Sequence, residues 1–275
     1  GGNLGRARVD AFRGPVQDGF LENGKLFVQA DTDNFGLSGL SFGKSANSIN
    51  DSEAFVRRHY IDFLNREADA EGLAFWINNI ESCGNDAQCR EVKRVDTSAA
   101  FFLSIEFQET GFLVYRLYKT SLPPTAARPR GLPRFQEFLN DAQTIGNGVV
   151  VKQPNWPQVL EANTVAFINN FVTRPEFQQQ YPAQLTAAQY VDNLNTLAAG
   201  ALSTTERNAL VNGLTGGQET RATVLRKVAN DEDFRKAEFN RGFVLMQYFG
   251  YLRRNPDDAP DGNFNGYDFW LDKLN

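Results

Sequence analysis

The 275-residue chain is poor in the residues that most catalytic and metal chemistry requires, with one histidine, two cysteines and one methionine. A single imidazole, His59, rules out a cluster of histidine ligands, and two thiols cannot complete a tetrahedral all-thiolate zinc site. Positive charge is not in excess: 28 Lys and Arg stand against 33 Asp and Glu, a net charge of −5. That balance removes the electrostatic basis for nucleic-acid binding or a polybasic membrane anchor. Long apolar runs are missing too. The longest, around Ala99 to Ile105, falls far short of the roughly 18 to 20 residues that cross a bilayer. The glycine-containing stretch Asn212 to Thr220 has neither the lysine nor the spacing of a phosphate loop. What is present is 41% hydrophobic residues, 22% charged residues and 23 phenylalanines, enough for one large globular core or two smaller ones.

Cys83 and Cys89 flank Gly84, Asn85 and Asp86, which are turn-forming residues, so a small structural disulfide loop is expected. A redox-active pair would normally have a two-residue spacer beside a helix start. A stable disulfide implies an oxidising compartment, and the expected location is exported: extracellular, cell-surface or periplasmic. The chain starts at Gly1 without methionine, giving the further expectation of a processed product whose secretory signal has been removed.

Composition divides the chain at about residue 50. Residues 1–50 carry glycine at nine positions and short apolar runs such as Leu26 to Ala30, a pattern of strands and turns. Asn23-Gly24 between apolar segments signals a β-hairpin, and Asp33 to Gly43 reads as an extended strand or a bound arm. From Asn50-Asp51-Ser52 onward the spacing is helical, with Asp51 or Ser52 as the cap before Phe55, Val56, His59, Tyr60, Phe63 and Leu64. The expected fold is therefore mainly α, preceded by a glycine-rich extended or β segment.

The helical part, residues 51–275, repeats itself. Phe55 to Ile80 aligns with Phe243 to Leu274: Tyr60 with Tyr248, Leu64 with Leu252, Arg66 with Arg254, Gly72 with Gly266, and Phe75-Trp76 with Phe269-Trp270. The later copy has six extra loop residues. Fainter copies run from Leu113 to Leu139, with Tyr118 and Leu122, and from Tyr190 to Leu214. The first three copies close with SAAFFLSIEF, VAFINNFVTRPEF and VANDEDFRKAEF, each bearing a Phe and a Glu-Phe pair. Units of about 53–110, 111–181, 182–240 and 241–275 follow, the last incomplete.

This combination of an aromatic helix start, Leu-x-Arg, an acidic loop ending in glycine, Phe-Trp and a closing Ser-x-Glu-Phe resembles the bacterial domain-of-unknown-function 4214 family. The resemblance covers roughly residues 53–275 and is strongest in the first and last copies. It implies exported, mostly helical modules, often found beside calcium-binding repeats and distantly similar to phycobilisome linker domains. Two departures stand out: a proline-rich loop from Ser121 to Arg134 and a fourth copy without its closing helix.

Asp261, Asn263 and Asn265, then Gly266, then Asp272 follow the ligand order of a helix-loop-helix calcium loop, with Tyr267 placed to offer a carbonyl. The same residues also serve as turn formers and helix caps without metal, and Asp268 occupies a position that is normally apolar. The corresponding Glu67, Asp69 and Glu71 of the first copy are followed by Asn78 at the last ligand position. Trp76, Trp270 and their aromatic neighbours read as core, or alternatively as a platform for sugar or pigment. His59 has Asp62 three positions on but no nucleophile motif nearby, and the carboxylate pairs lie in turns and polar helices.

No reaction is specified, and the chain is expected not to be an enzyme. The leading expectation is a non-catalytic exported scaffold that contacts copies of itself or another surface protein in a layer, filament or complex. Its arm would use Phe20, Leu26, Phe27, Phe35, Leu37, Leu40 and Phe42 by strand addition or groove binding. The alternatives are a carbohydrate-binding module or cell-wall hydrolase, and a pigment-complex linker.

Overall fold

The computed structural model describes residues 6–9, 17–22, 25–28, 50–64 and 66–275. The chain divides into two compact units, Gly1–Asp51 and Ser52–Asn275, close to the division that composition suggests. In the first, strands β1 (Arg6–Val9), β2 (Gln17–Glu22) and β3 (Lys25–Val28) form an antiparallel sheet in the order β1-β2-β3. Glu22 pairs with Lys25, so the β2–β3 connection is the two-residue Asn23-Gly24 step, as the hairpin signal requires. The expected extended stretch from Asp33 to Gly43 lies outside the described residues, as do Phe35, Leu37, Leu40 and Phe42.

The second unit is helical, and its helices fall into the repeat. The first unit of the repeat comprises α1 (Ser52–Leu64), α2 (Ala70–Glu81), α3 (Ala87–Leu103) and the short α4 (Ile105–Glu109). The next four are α5 (Gly111–Ser121), α6 (Phe135–Gly146), α7 (Trp156–Phe171) and α8 (Pro175–Gln180). The third set is α9 (Ala187–Leu197), α10 (Thr204–Thr215) and α11 (Arg221–Ala229), and its short fourth helix is fused into α12 (Glu232–Gln247). A π-helical turn, Tyr248–Leu252, and α13 (Asn265–Leu274) complete the chain.

Local chemistry explains many of the helix starts. Asp69, Asp86, Ser104, Thr186, Ser203, Thr220 and Asp231 each accept a hydrogen bond from a backbone N–H of the first turn, satisfying donors that have no intrahelical partner. Ser104 and Asp231 hold equivalent places. In the third repeat this puts Asp233-Phe234 at the positions of Glu106-Phe107, where the sequence comparison had put Glu238-Phe239. Phe107, Phe177 and Phe234 are all buried.

Repeats of a solenoid touch only their neighbours; these do not string out. Helix α5, buried on nearly every side, is the hub, packed against α4, α6, α9, α11 and α12. The last repeat also returns to the first, with Tyr248–Leu252 lying on α1. A helix that is apolar all round belongs at a centre, and the GFLVY run that opens α5 suits that place, although the helix also buries Arg116, Thr120 and Ser121.

Candidate functional site

The repeat is built around a tyrosine under a guanidinium. Arg66 lies 4.9 Å from the centre of the Tyr60 ring, Arg128 4.8 Å from Tyr118, Arg221 5.1 Å from Tyr190, and Arg254 5.3 Å from Tyr248. All four rings are buried. Arginine suits this place because its plane stacks on a ring while its edge donates to carboxylates in fork geometry. Arg66 gives two hydrogen bonds to Glu106 of α4, at 2.5 and 2.8 Å. Arg128 does the same to Glu176 of α8, at 3.0 and 2.9 Å, and also grips Glu137. The Glu of the closing Glu-Phe pair is thus the carboxylate that ties the end of a unit back to its tyrosine. Residue spacing could not reveal Arg128 or Arg221, because the six-residue step from tyrosine to arginine in the first and last copies is lost in the middle two.

The glycine before each Phe-Trp pair follows from the same arrangement. A Cβ on Gly72 would lie 2.1 Å from the Tyr60 hydroxyl, and one on Gly266 would lie 2.5 Å from that of Tyr248. Gly72→Ala is expected to cost about 1–3 kcal/mol through overpacking. The same substitution in a Tyr60→Phe background should cost clearly less, as read by urea unfolding of the four proteins of the cycle; equal costs in both backgrounds would refute the steric account.

The segment with calcium-loop order is put to other use. Helix α13 begins at Asn265, so Asn265, Tyr267 and Asp272 lie within a helix. The Asp261 carboxylate takes the Arg254 guanidinium at 2.6 Å, and the Asn263 side chain accepts from the Asn265 N–H at 2.8 Å. Tyr267 is buried, its hydroxyl donating to the Arg241 carbonyl. Asp268, at the position that is apolar in a calcium loop, makes a bidentate pair with Arg130, whose guanidinium also stacks on Phe264. Arg134 binds Asp257 and Asp258, and the Phe135 N–H donates to Asn255. The two departures from the repeat, the proline-rich loop of the second copy and the enlarged acidic loop of the fourth, are therefore complementary and hold each other. In the first copy Asp69 caps α2 by accepting from the Gly72 N–H. A calcium site with a Kd of about 0.1 mM would add about 1.4 kcal/mol at about 1 mM metal. With Arg254 occupying the Asp261 carboxylate, we expect no such gain in the unfolding of chelator-treated protein; a gain of that size would reinstate the metal.

Cys83 and Cys89 form the expected disulfide, with Cα atoms 5.6 Å apart, tying the turn after α2 to the first turn of α3. His59 is buried. Its Nδ1 meets the Phe55 carbonyl at 2.8 Å, and its Nε2 faces Ser98 Oγ at 2.8 Å and the Tyr251 hydroxyl at 3.0 Å. Burial lowers its pKa to about 4. With Nδ1–H donating to Phe55, Nε2 is the acceptor, and the contact with Ser98 has the length of a nucleophile–base pair. An imidazole held this acidic is a weak base, and Ser98 also donates to the Arg94 carbonyl within α3. The arrangement joins α1, α3 and the π turn.

The aromatic pairs depart from the expectation that they lie in the core. Trp76 is half-buried against Phe101 of α3, with ring centres 5.8 Å apart, but Phe75 is 62% exposed. In the last repeat both partners are outside: Phe269 is 53% and Trp270 58% exposed, and Leu274, one turn after Trp270, is 45% exposed. Tyr251 and Leu252 add to the exposed apolar surface of the same repeat. A core residue in one copy becomes surface in another because burial depends on what packs over the helix, not on its own pattern. Of the proposed arm, Phe20 lies in β2 and Leu26 and Phe27 in β3.

Fold and site together define a helical repeat protein whose units each stack an arginine on a buried tyrosine, the arginine being held by carboxylates in the first, second and last copies and by backbone carbonyls in the third. Residues 39–111 match the model of the family described as "Domain of unknown function (DUF4214)", so the resemblance seen in the motifs holds for the first repeat through α4. No curated protein and no solved structure matches the chain.

Proposed function

We propose that the protein is a non-catalytic scaffold of an oxidising, extracytoplasmic compartment that works by contact with other protein chains. The observation that carries this reading is the exposed apolar face of the last repeat, Phe269, Trp270 and Leu274 on α13. Large apolar side chains grouped in this way are a feature of contact surfaces. The Cys83–Cys89 disulfide supports the compartment.

A photo-crosslinking amino acid placed at Phe269 in the native host tests the contact. The expected result is a discrete adduct of higher mass at 269 and none at the exposed Lys236 of α12. Absence of an adduct at both positions, with the protein folded and exported, overturns the scaffold reading. Recovery of the protein in the cytoplasm with two free thiols overturns the compartment.

A further inference from the structure

The seam between the last repeat and the first is closed on a hydrogen-bonded imidazole. The π turn Tyr248–Leu252 lies on α1, and Gly250 separates two anchorages within it. Phe249, 1% exposed, is held by α6, its ring centre 5.0 Å from that of Phe138 and 5.5 Å from that of Phe135. Tyr251, 46% exposed, lies on α1 instead, its ring centre 5.5 Å from that of Phe63 and its hydroxyl 3.0 Å from His59 Nε2. Gly250 itself is pressed against α1: a Cβ there would lie 2.8 Å from the Phe63 ring.

Neighbouring groups fix the hydrogens of this cluster. His59 Nδ1 faces the Phe55 carbonyl, so it carries the hydrogen and Nε2 is the acceptor. Ser98 faces Nε2 at 2.8 Å but gives its own hydrogen to the Arg94 carbonyl, 3.1 Å away. The Tyr251 hydroxyl is thus the donor to Nε2. A proton added at Nε2 turns that atom from acceptor into donor, and Ser98 Oγ is placed to accept from it. The Tyr251 hydroxyl then faces an N–H with its own hydrogen, and the half-exposed ring has water to turn to.

No carboxylate stands within hydrogen-bonding reach of the imidazole among the described residues, so nothing beside it neutralises the added charge. On α1, Arg58 pairs with Asp62 at 2.7 Å; α3 brings Arg94, 5.3 Å from the centre of the Phe55 ring. Arg253, directly after the π turn, has Nη1 3.1 Å from Asp62 Oδ1, and neither of these atoms has a hydrogen-bond partner among the described residues. Glu81 of α2, Glu106 of α4 and Glu137 of α6 are taken by Arg90, Arg66 and Arg128.

We propose that protonation of His59 is a switch that releases Tyr251 from α1 and opens the seam between the first and last repeats, with Gly250 as the hinge and Phe249 still anchored on α6. The opening is local, because Asp268 and Asp257 keep the last repeat tied to Arg130 and Arg134 of the second. It works as the pH falls toward 4, where the buried imidazole takes up its proton. The switch does not depend on the contact reading above.

His59 is the only histidine, so NMR of the full chain with labelled histidine reads its titration directly. Ring-labelled tyrosine reads Tyr251, whose signal is identified by its loss in Tyr251→Phe. Between pH 7 and about 4 the Tyr251 signal is expected to move toward its free-chain position with the midpoint of His59, while the signals of the buried Tyr115 and Tyr190 stay in place. In His59→Gln the Tyr251 signal should not move over this range. Tyr251→Phe keeps the ring and removes the donor to Nε2, so it should tighten proton binding by His59 about threefold to tenfold. Titration of His59 with Tyr251 unmoved overturns the switch, because the pocket then absorbs the proton as it stands. Tyrosine signals that all move together also overturn it, since acid then unfolds the chain as a whole. Movement of Tyr251 in His59→Gln as in the parent puts the trigger elsewhere. An unchanged His59 midpoint in Tyr251→Phe removes the hydrogen bond on which the switch stands, and this comparison decides the matter if His59→Gln fails to fold.

Discussion

Acidification from pH 7 to 4.5 is expected to cost this protein about 2–3 kcal/mol of folding stability through His59 alone. Its pKa is lowered to about 4 by burial, against 6.5 for the free side chain. The folded state therefore holds the neutral imidazole while the unfolded chain takes up a proton. The contribution is fully present above about pH 6.5 and is lost as the pH falls toward 4. Within this window His59 is the only histidine. Below it, carboxylates held under their ordinary range by arginines, such as Asp268 beside Arg130 and Glu161 beside Arg226, add losses of the same sign. His59→Gln isolates the effect, because glutamine is the residue at the matching place in the last repeat, Gln247. Urea unfolding at pH 7, 5.5 and 4.5 should give a sloping series for the parent and a much flatter one for the variant. Parallel series would mean that the imidazole is not held neutral.

The largest single-residue loss is expected at Arg116. Its side chain is fully buried in α5, in the middle of the molecule. Nε donates to the Ala229 carbonyl and Nη2 to the Asn230 side chain, both at 2.8 Å, and the guanidinium stacks 4.4 Å from Phe112. Ala229 and Asn230 form the end of α11, where carbonyls lack helical partners and the helix dipole is negative. Arg116 thus caps a helix across the core. Burial, with Arg235 nearby, lowers its pKa to about 9, so it remains charged at neutral pH. Arg116→Ala removes the stem, the stacking and the cap, and should cost about 3–5 kcal/mol. Arg116→Met keeps the packed stem and removes the cost of burying a charge, so about 1–2 kcal/mol is expected from the orphaned carbonyl. The ranking, alanine well below methionine below the parent in chemical denaturation, is the test; an alanine variant within about 1 kcal/mol of the parent would refute the capping role.

Much of the fold was legible in residue order because its determinants are local. Helical spacing from Ser52 onward, capping residues such as Ser104 and Asp231, and the Asn-Gly step between β2 and β3 act over three or four positions. The disulfide was legible for the same reason, its cysteines standing only six positions apart. The clearest copies of the repeat could be aligned because Tyr60 and Arg66, like Tyr248 and Arg254, stand six apart. The tyrosine–arginine couples of the middle copies could not, since Tyr118 and Arg128 are ten apart and Tyr190 and Arg221 thirty-one.

The acidic loop shows where local reading leaves two uses open. Asp261, Asn263, Asn265 and Asp272 have the order of calcium ligands, but carboxylates answer to whichever cation reaches them. Here the cations are Arg254, Arg130 and Arg134, the last two more than a hundred positions from the acids they bind.

Scarcity of histidine, cysteine and positive charge, the α class, the repeat and its disulfide were all fixed by residue identity and short-range spacing. Which copy's aromatic pair is covered was not. Phe75-Trp76 and Phe269-Trp270 stand at the same distance from their repeat's glycine, Gly72 or Gly266, yet Trp76 lies against Phe101 while Trp270 faces outward. Burial is a property of the helix that packs over a side chain, and only the tertiary structure decides where that helix is.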